Sequence, residues 1–409
     1  MTYKKSVAII GAGPAGCMCA YFASKIFDVT VFDFAKPLHT LLYTGGGRCN
    51  LAYSEYDFKE LTKFYPRGEK FLYSVFSKFS TSDTIVFFKK IGVETYTQDD
   101  LRIFPKSNSA KDVREQFLHA LKNCSFKKEK VLKIGGKCGS DFLLTQFTAL
   151  QGGKCIEVET NQNKYLFDKV VLAIGGHSGF SLAQNLGHTI IEPKPALTAL
   201  KTKENFKSVQ GVSLKNIGAE IFYGSKKFPP QLDDLIFTHE GISGPLAYKI
   251  SSICAREDYN KKNPIKIKLD FINKELDLQE ILNSNPKKDL KNLIAEYVPK
   301  SLAAYILEKC NLPQDLKCHQ VNSKARDSIL KELKKFEITA ISSAKERGRH
   351  LPLVTSGGVC LDEINSKTME SKLVKNLYFC GEIIDIDGFC GGFNLQNCWS
   401  TGFIAGTSL

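Results

Sequence analysis

Residues 7–16 read Val-Ala-Ile-Ile-Gly-Ala-Gly-Pro-Ala-Gly, and this run decides the fold. Four consecutive apolar residues suit a strand buried on both faces, and the CMCAYFASKI that follows the glycines begins a helix with small residues. Between them the GxGxxG spacing has a mechanical meaning. The first glycine allows the tight turn, the second lets a pyrophosphate approach the backbone, and the third lets helix and strand pack closely. Phosphates would then lie at the helix N-terminus. A second strand, Asp28–Phe32, ends on Asp33, which lies 17 residues past Gly16, near the spacing at which an acid takes ribose hydroxyls. A glycine-rich turn alone also fits an ordinary α/β protein; strand, turn, helix, strand and acid together point to an adenine dinucleotide.

Two further segments extend the same sheet. Lys169–Gly176, KVVLAIGG, is an apolar strand stopping at a glycine pair, and Asn376–Glu382, NLYFCGE, is another near the far end of the chain. The second leads through Asp385–Asn394, DIDGFCGGFN, into the helical pattern LQNCWSTGFIAG. Glycines at that helix start offer amide donors to a phosphate or an anionic ring edge. A third glycine loop, Thr44–Asn50, TGGGRCN, sets an arginine, a thiol and an amide beside bare backbone.

Composition bounds what surrounds this unit. At 409 residues the chain exceeds one usual domain, so one or two inserted or appended domains are expected, and 43% hydrophobic with 24% charged residues describes a globular protein. Lys and Arg number 56 against 43 Asp and Glu, and 19 against 12 between Lys261 and Arg349. A basic sector of this kind attracts polyanions such as RNA, although charge alone is first read as a solvated lysine-rich surface. The 13 cysteines include no CxxC, which argues for reduced thiols in a cytoplasmic protein without a structural metal. Lys4-Lys5 ahead of an apolar run imitates a signal peptide, but the glycine pattern in that run explains it better, and no membrane span is expected.

TGGGRCN, Arg102-Ile103-Phe104-Pro105, AIGGHSG, IFTHEGISGP, VTSGGV, TMESK, LYFCGEIIDIDG and GGFNLQ occur in this order, and from residue 7 to about residue 406 the chain resembles the BaiN/RdsA family of FAD-dependent oxidoreductases. The resemblance implies an α/β fold in which residues 1–192 and 354–409 form a Rossmann-like FAD domain. An inserted β-barrel-like part would occupy 193–274 with about 341–353, and a helical part 275–340. The residues agree on their own terms. GAEIFYG and PIKIKLDF read as strands, while SLAAYILEKC and DSILKELKKF carry helical periodicity. Two segments depart from the family pattern: Pro37–Thr40 lacks the usual glycine and lysine, and SGFSLAQNLGH is abbreviated.

The residues expected to hold FAD follow from the motifs. Gly11, Gly13, Pro14, Ala15 and Gly16 form the phosphate turn, and Asp33 takes the ribose. Gly45, Gly46, Gly47, Arg48, Cys49 and Asn50 present flavin-facing backbone, with Arg48 and Asn50 offering hydrogen bonds. Val131, Ala173, Gly175 and Gly176 line the central strands; Gly381, Glu382 and Asp387 meet the ribityl side; Gly391, Gly392, Phe393, Asn394 and Leu395 open the last helix.

FAD implies redox chemistry, and with only one Rossmann fingerprint in the chain, NAD(P)H is expected to dock transiently as electron donor. Two family activities share one outline, hydride to a β carbon and a proton to the α carbon: uridine to dihydrouridine in large-subunit ribosomal RNA, and reduction of a steroid-like enone. The basic insert favours RNA. An amino-ketone oxidase, or a flavin-stabilised RNA-binding or assembly protein without turnover, are the other readings. Cys49, Cys390 and His239 are the candidate proton donors, His239 standing beside Glu240; for Cys49 the reading as a small packed residue under the ring comes first. Arg347 and Arg349, in KERGRH, are candidates for RNA phosphates, and a monomer is favoured.

Overall fold

The computed structural model describes residues 5–135, 149–150, 153–176, 178–343 and 354–409. Two compact units emerge, Met1–Lys194 with Val354–Leu409, and Pro195–Leu353.

In the first unit Ser6–Ile10 lies at the centre of a five-stranded sheet ordered Leu377–Phe379, Lys169–Leu172, Ser6–Ile10, Asp28–Phe32, Ser125–Lys127. All four pairings are parallel, Ile10 standing between Leu172 and Phe32. Buried parallel strands need apolar residues on both faces, and Val7 to Ile10 are at most 4% exposed. Helix Pro14–Ala23 starts directly after the glycine turn, and helix Phe393–Ser408 packs across it. The crossing is close because Gly402 and Gly406 lack side chains: a Cβ there would stand 2.5 Å from the Ala15 carbonyl oxygen and 2.6 Å from that of Cys19. Trp399 is fully buried and donates its indole N–H to the Leu51 carbonyl at 3.0 Å. A small antiparallel sheet has Arg102–Pro105 in its middle, between Ala52–Tyr53 and Thr95–Thr97.

Further along this unit His188 is clamped on both ring nitrogens, Nδ1 at 3.0 Å from Glu363 Oε2 and Nε2 at 2.9 Å from Ser371 Oγ. Ser371 Oγ also accepts the backbone N–H groups of Leu373 and Val374. With both of its lone pairs taken, the hydroxyl must donate its proton to Nε2, so the ring is the neutral Nδ1–H tautomer.

The second unit is a closed six-stranded barrel, ordered Leu200–Thr202, Gly241–Ser243, Lys226–Thr238, Ser213–Tyr223, Ile265–Asp270, Phe336–Ser343. Alternation is plain in Ile265–Asp270, where Ile265, Ile267 and Leu269 are buried and Lys266 is exposed. Helices Leu278–Ser284, Leu290–Ile294, Lys300–Lys309 and Ser323–Lys334 share one hydrophobic core with the barrel, in which the Phe336 ring lies tilted against Phe271 at 5.2 Å between centroids and Leu302 and Ile306 are buried. No helix among the described residues is long and apolar enough to cross a membrane.

Candidate functional site

Each glycine of the turn does something different. Gly11 has φ +107°, and a Cβ there would stand 2.3 Å from the Ala173 carbonyl oxygen. At Gly16 it would lie 1.9 Å from the Gly11 carbonyl oxygen, so the third glycine is what lets the helix begin against the strand. Gly13 is the opposite case, since nothing lies within 4 Å of its added Cβ. It is the N-cap of a helix with no side-chain cap, with Pro14 in the first turn. An uncapped helix start beside open space is the arrangement a pyrophosphate needs.

Asp33 stands at the end of the adjoining strand and accepts the Ala12 N–H through Oδ2 at 2.7 Å and the Ala35 N–H through Oδ1 at 2.8 Å. Its carboxylate is thereby oriented, with lone pairs left for hydroxyls. Val131 is buried at the head of Val131–Ile134. Ala173 is buried, Gly175 has φ +77° with open space beside it, and Gly176 packs against Thr355.

The Thr44–Asn50 loop is moulded on Phe104. Gly45, Gly46 and Gly47 have φ of +56°, +67° and +85° and are exposed. A Cβ on Gly45 would meet Phe104 Cε1 at 2.8 Å and the Asn50 nitrogen at 2.7 Å. The Arg48 guanidinium carbon lies 4.1 Å from the centroid of the Phe104 ring, a cation–π contact that fixes a charge with no carboxylate partner among the described residues. Cys49 has φ +66°, unusual for a residue with a side chain, and is fully buried; burial pushes its thiol up to about 12. An enclosed thiol reaches no substrate in this conformation. Asn50 Oδ1 is buried without a partner, as are both amide atoms of Asn397 and Ser356 Oγ. An orphaned buried polar atom costs about 1–3 kcal/mol, which a bound polar group removes.

The Gly381–Leu395 loop forms the other wall. Gly381 has φ +78°, and its added Cβ would stand 2.6 Å from Ala15 Cβ. Glu382 is half-buried; burial, helped by the negative charge of Asp387, pushes its carboxyl up to about 7. Asp387 is fully buried, and both its oxygens accept from the Arg67 guanidinium. Sequence reasoning missed Arg67, whose partner is 320 residues away. Cys390 is half-buried in the same loop. Gly392 passes so close to the Ala52 carbonyl oxygen that a Cβ would lie 2.6 Å from it. The Phe393 carbonyl accepts the Tyr65 hydroxyl at 2.6 Å. Asn394 turns its amide back on the loop, Oδ1 accepting the Gly388 N–H at 2.8 Å and Nδ2 donating to the Gly388 carbonyl at 2.9 Å. Leu395 lies beside it in the first turn of an uncapped helix. These residues fit FAD: a bare glycine turn at a helix start, a carboxylate oriented at the adjoining strand end, open glycine backbone and a buried amide oxygen without a partner.

His239 belongs to the second unit, exposed in the turn between two barrel strands, where Glu240 pairs with Lys201 at 2.9 Å. Arg347 and Arg349 lie outside the described residues.

Residues 5–408 match the family described as HI0933-like protein Rossmann domain. The chain is similar to the 3-dehydro-bile acid delta(4,6)-reductase of Clostridium scindens, 27% identical over 422 residues and 98% of each chain. It is similar to the ribosomal RNA dihydrouridine synthase of Haemophilus influenzae, 27% identical over 428 residues, 100% of this chain and 98% of that one. With the ribosomal RNA dihydrouridine synthase of Escherichia coli it shares 26% identity over 419 residues, 98% of this chain and 97% of the other.

Proposed function

Because the chain belongs to the HI0933-like Rossmann family, an oxidoreductase family by its named relatives, we propose that it reduces a C=C bond with FAD as cofactor, and that the bond is that of a uridine in large-subunit ribosomal RNA. End-to-end similarity to two dihydrouridine synthases carries the reading. Charge supports RNA over a small acid or sterol, since Pro195–Leu353 holds 27 Lys and Arg against 19 Asp and Glu, a net +8 of the chain's +13.

FAD, when bound, would supply the hydride, with NAD(P)H proposed as its reductant. The Gly13 turn would hold its pyrophosphate, Asp33 would accept hydrogen bonds from its ribose hydroxyls, and Glu382 would meet its ribityl side. Arg48, held on Phe104, opposes negative charge on the ring. We assign Cys49 to packing, because it is sealed, and Cys390 to the proton that completes the reduction, because it is half-buried in a glycine loop at the site. A second reading, a steroid-like enone as substrate, has its own support in the similarity to the bile acid reductase.

Mapping dihydrouridine by mass in ribosomal RNA from wild-type and deletion strains decides between them. Loss of one dihydrouridine in the deletion strain is the expected result; an unchanged map with NADPH-dependent turnover of an enone would transfer the assignment to the small molecule.

A further inference from the structure

The outside of the barrel carries a row of lysines about an aromatic ring. Residues alternate along each strand, so Ile221, Ile265, Ile267 and Leu269 fill the barrel while Glu220, Phe222, Lys266 and Lys268 stand on its outer wall. Register sets Lys227 and Lys266 opposite Phe222 on its two neighbouring strands. Three adjacent strands therefore read Lys-Phe-Lys at steps of about 5 Å. Lys227 Nζ and Lys268 Nζ lie 5.4 and 5.5 Å from the Phe222 ring centroid. Lys227 is balanced by Glu220 at 2.7 Å. Lys266, Lys268 and Lys335 form no ion pair among the described residues, and the charges of Lys268 and Lys335 both reach Glu220.

In register Lys268 stands between Glu220 and the exposed Glu337, so Lys227, Lys266, Lys268 and Lys335 against these two carboxylates leave a net +2 around a half-buried ring. A base can stack where a ring is flanked by cations that take the phosphates on either side, and base stacking on an aromatic side chain needs no particular sequence. We propose that the Lys227–Phe222–Lys266 row, extended by Lys268 and Lys335, docks an unpaired stretch of RNA, the lysines on its phosphates and Phe222 against a base. The proposal rests on the ribosomal RNA reading and names the surface that would serve it.

The test uses the full FAD-loaded chain and a mixed-sequence single-stranded RNA, with binding followed by fluorescence anisotropy over a salt series. A Lys266→Ala/Lys268→Ala/Lys335→Ala variant is expected to flatten the log–log salt slope by about 2, near 0.7 per lost phosphate contact. Phe222→Ala is expected to weaken binding about tenfold with the slope unchanged. Lys261→Ala/Lys262→Ala, on an exposed turn, should match wild type, and circular dichroism with flavin content checks that each variant folds. If wild type binds RNA and the triple and Phe222 variants bind identically to it, the surface is wrong and the substrate reading stands. Absence of salt-dependent RNA binding by wild type overturns both, and preferential capture of an acidic peptide over RNA overturns the surface in favour of a protein partner.

Discussion

Arg48 and Phe104 form a stacked pair, guanidinium carbon 4.1 Å from ring centroid, and the same ring occupies the place a side chain on Gly45 would need. One aromatic residue on the Arg102–Pro105 strand thus sets both the path of the glycine loop and the position of its cation. Gly45→Ala must push against backbone at Asn50 as well as the ring, at a left-handed φ of +56°. It is expected to weaken FAD retention at least tenfold, measured by ultrafiltration and flavin absorbance. Phe104→Leu should keep the loop but release Arg48, lowering the reduction potential of bound flavin with a smaller loss of affinity.

Gly13 and Gly402 separate cofactor binding from folding. Nothing surrounds an added Cβ at Gly13, so Gly13→Val should leave urea unfolding near wild type and abolish FAD binding by filling the phosphate space. At Gly402 the Cβ would stand 2.5 Å from the Ala15 carbonyl oxygen, and Gly402→Val should cost about 2 kcal/mol or more of stability through forced helix separation.

Arg67→Ala takes the guanidinium away from a fully buried carboxylate. Breaking a buried pair from one side costs about 3–5 kcal/mol, so the single variant should unfold at markedly lower urea. Arg67→Met with Asp387→Leu removes both charges and should recover most of the loss; a double variant as weak as the single one would mean that the loop needs the salt bridge itself.

Two groups make stability depend on pH in opposite senses. Glu382 is raised from 4.5 to about 7, so the native state keeps its proton longer than the unfolded chain; its contribution is complete below about 4.5 and is lost as pH rises to about 7. His188 is lowered from 6.5 by burial, so its contribution is present above 6.5 and is lost on acidification. Protonation would also ask Ser371 Oγ to accept a third hydrogen bond. Glu382→Gln should therefore flatten the alkaline-going limb of the stability profile of the flavin-free protein, and His188→Gln the acid-going limb.

Cys390→Ala should slow reoxidation of reduced flavin by substrate while leaving reduction by NAD(P)H unchanged in stopped-flow absorbance. Cys49→Ala should leave both rates near wild type. Equal losses in both variants would overturn the assignment of the proton to Cys390.

What could be read from the sequence was local. The phosphate turn, its helix and the acid at Asp33 sit within one short run, and their spacing alone specifies their geometry. The Lys226–Thr238 strand was not legible, because Pro229, Pro230, Asp233 and Asp234 are poor strand formers; the partner strand accommodates them with shifts in register at Leu214/Ile217 and Ala219/Ile221. Arg67 with Asp387, and His188 with Glu363 and Ser371, escape sequence reasoning for a different reason. Each pairs residues far apart in the chain, and no periodicity marks a polar residue whose partner only folding brings near. The Lys-Phe-Lys row needs strand register, which alternation constrains only to which face each residue takes.

Helix Phe393–Ser408 packs on the helix that carries the phosphate turn, and this orders events during synthesis. At about 5–20 residues per second, the GAGPAG turn leaves the ribosome roughly 20 to 80 s before the helix that completes its surroundings. The barrel and its helices, contiguous from 195 to 353, have all their strands available earlier. The nascent chain therefore carries a finished inserted unit before it has a finished nucleotide fold, and cofactor loading is a late event.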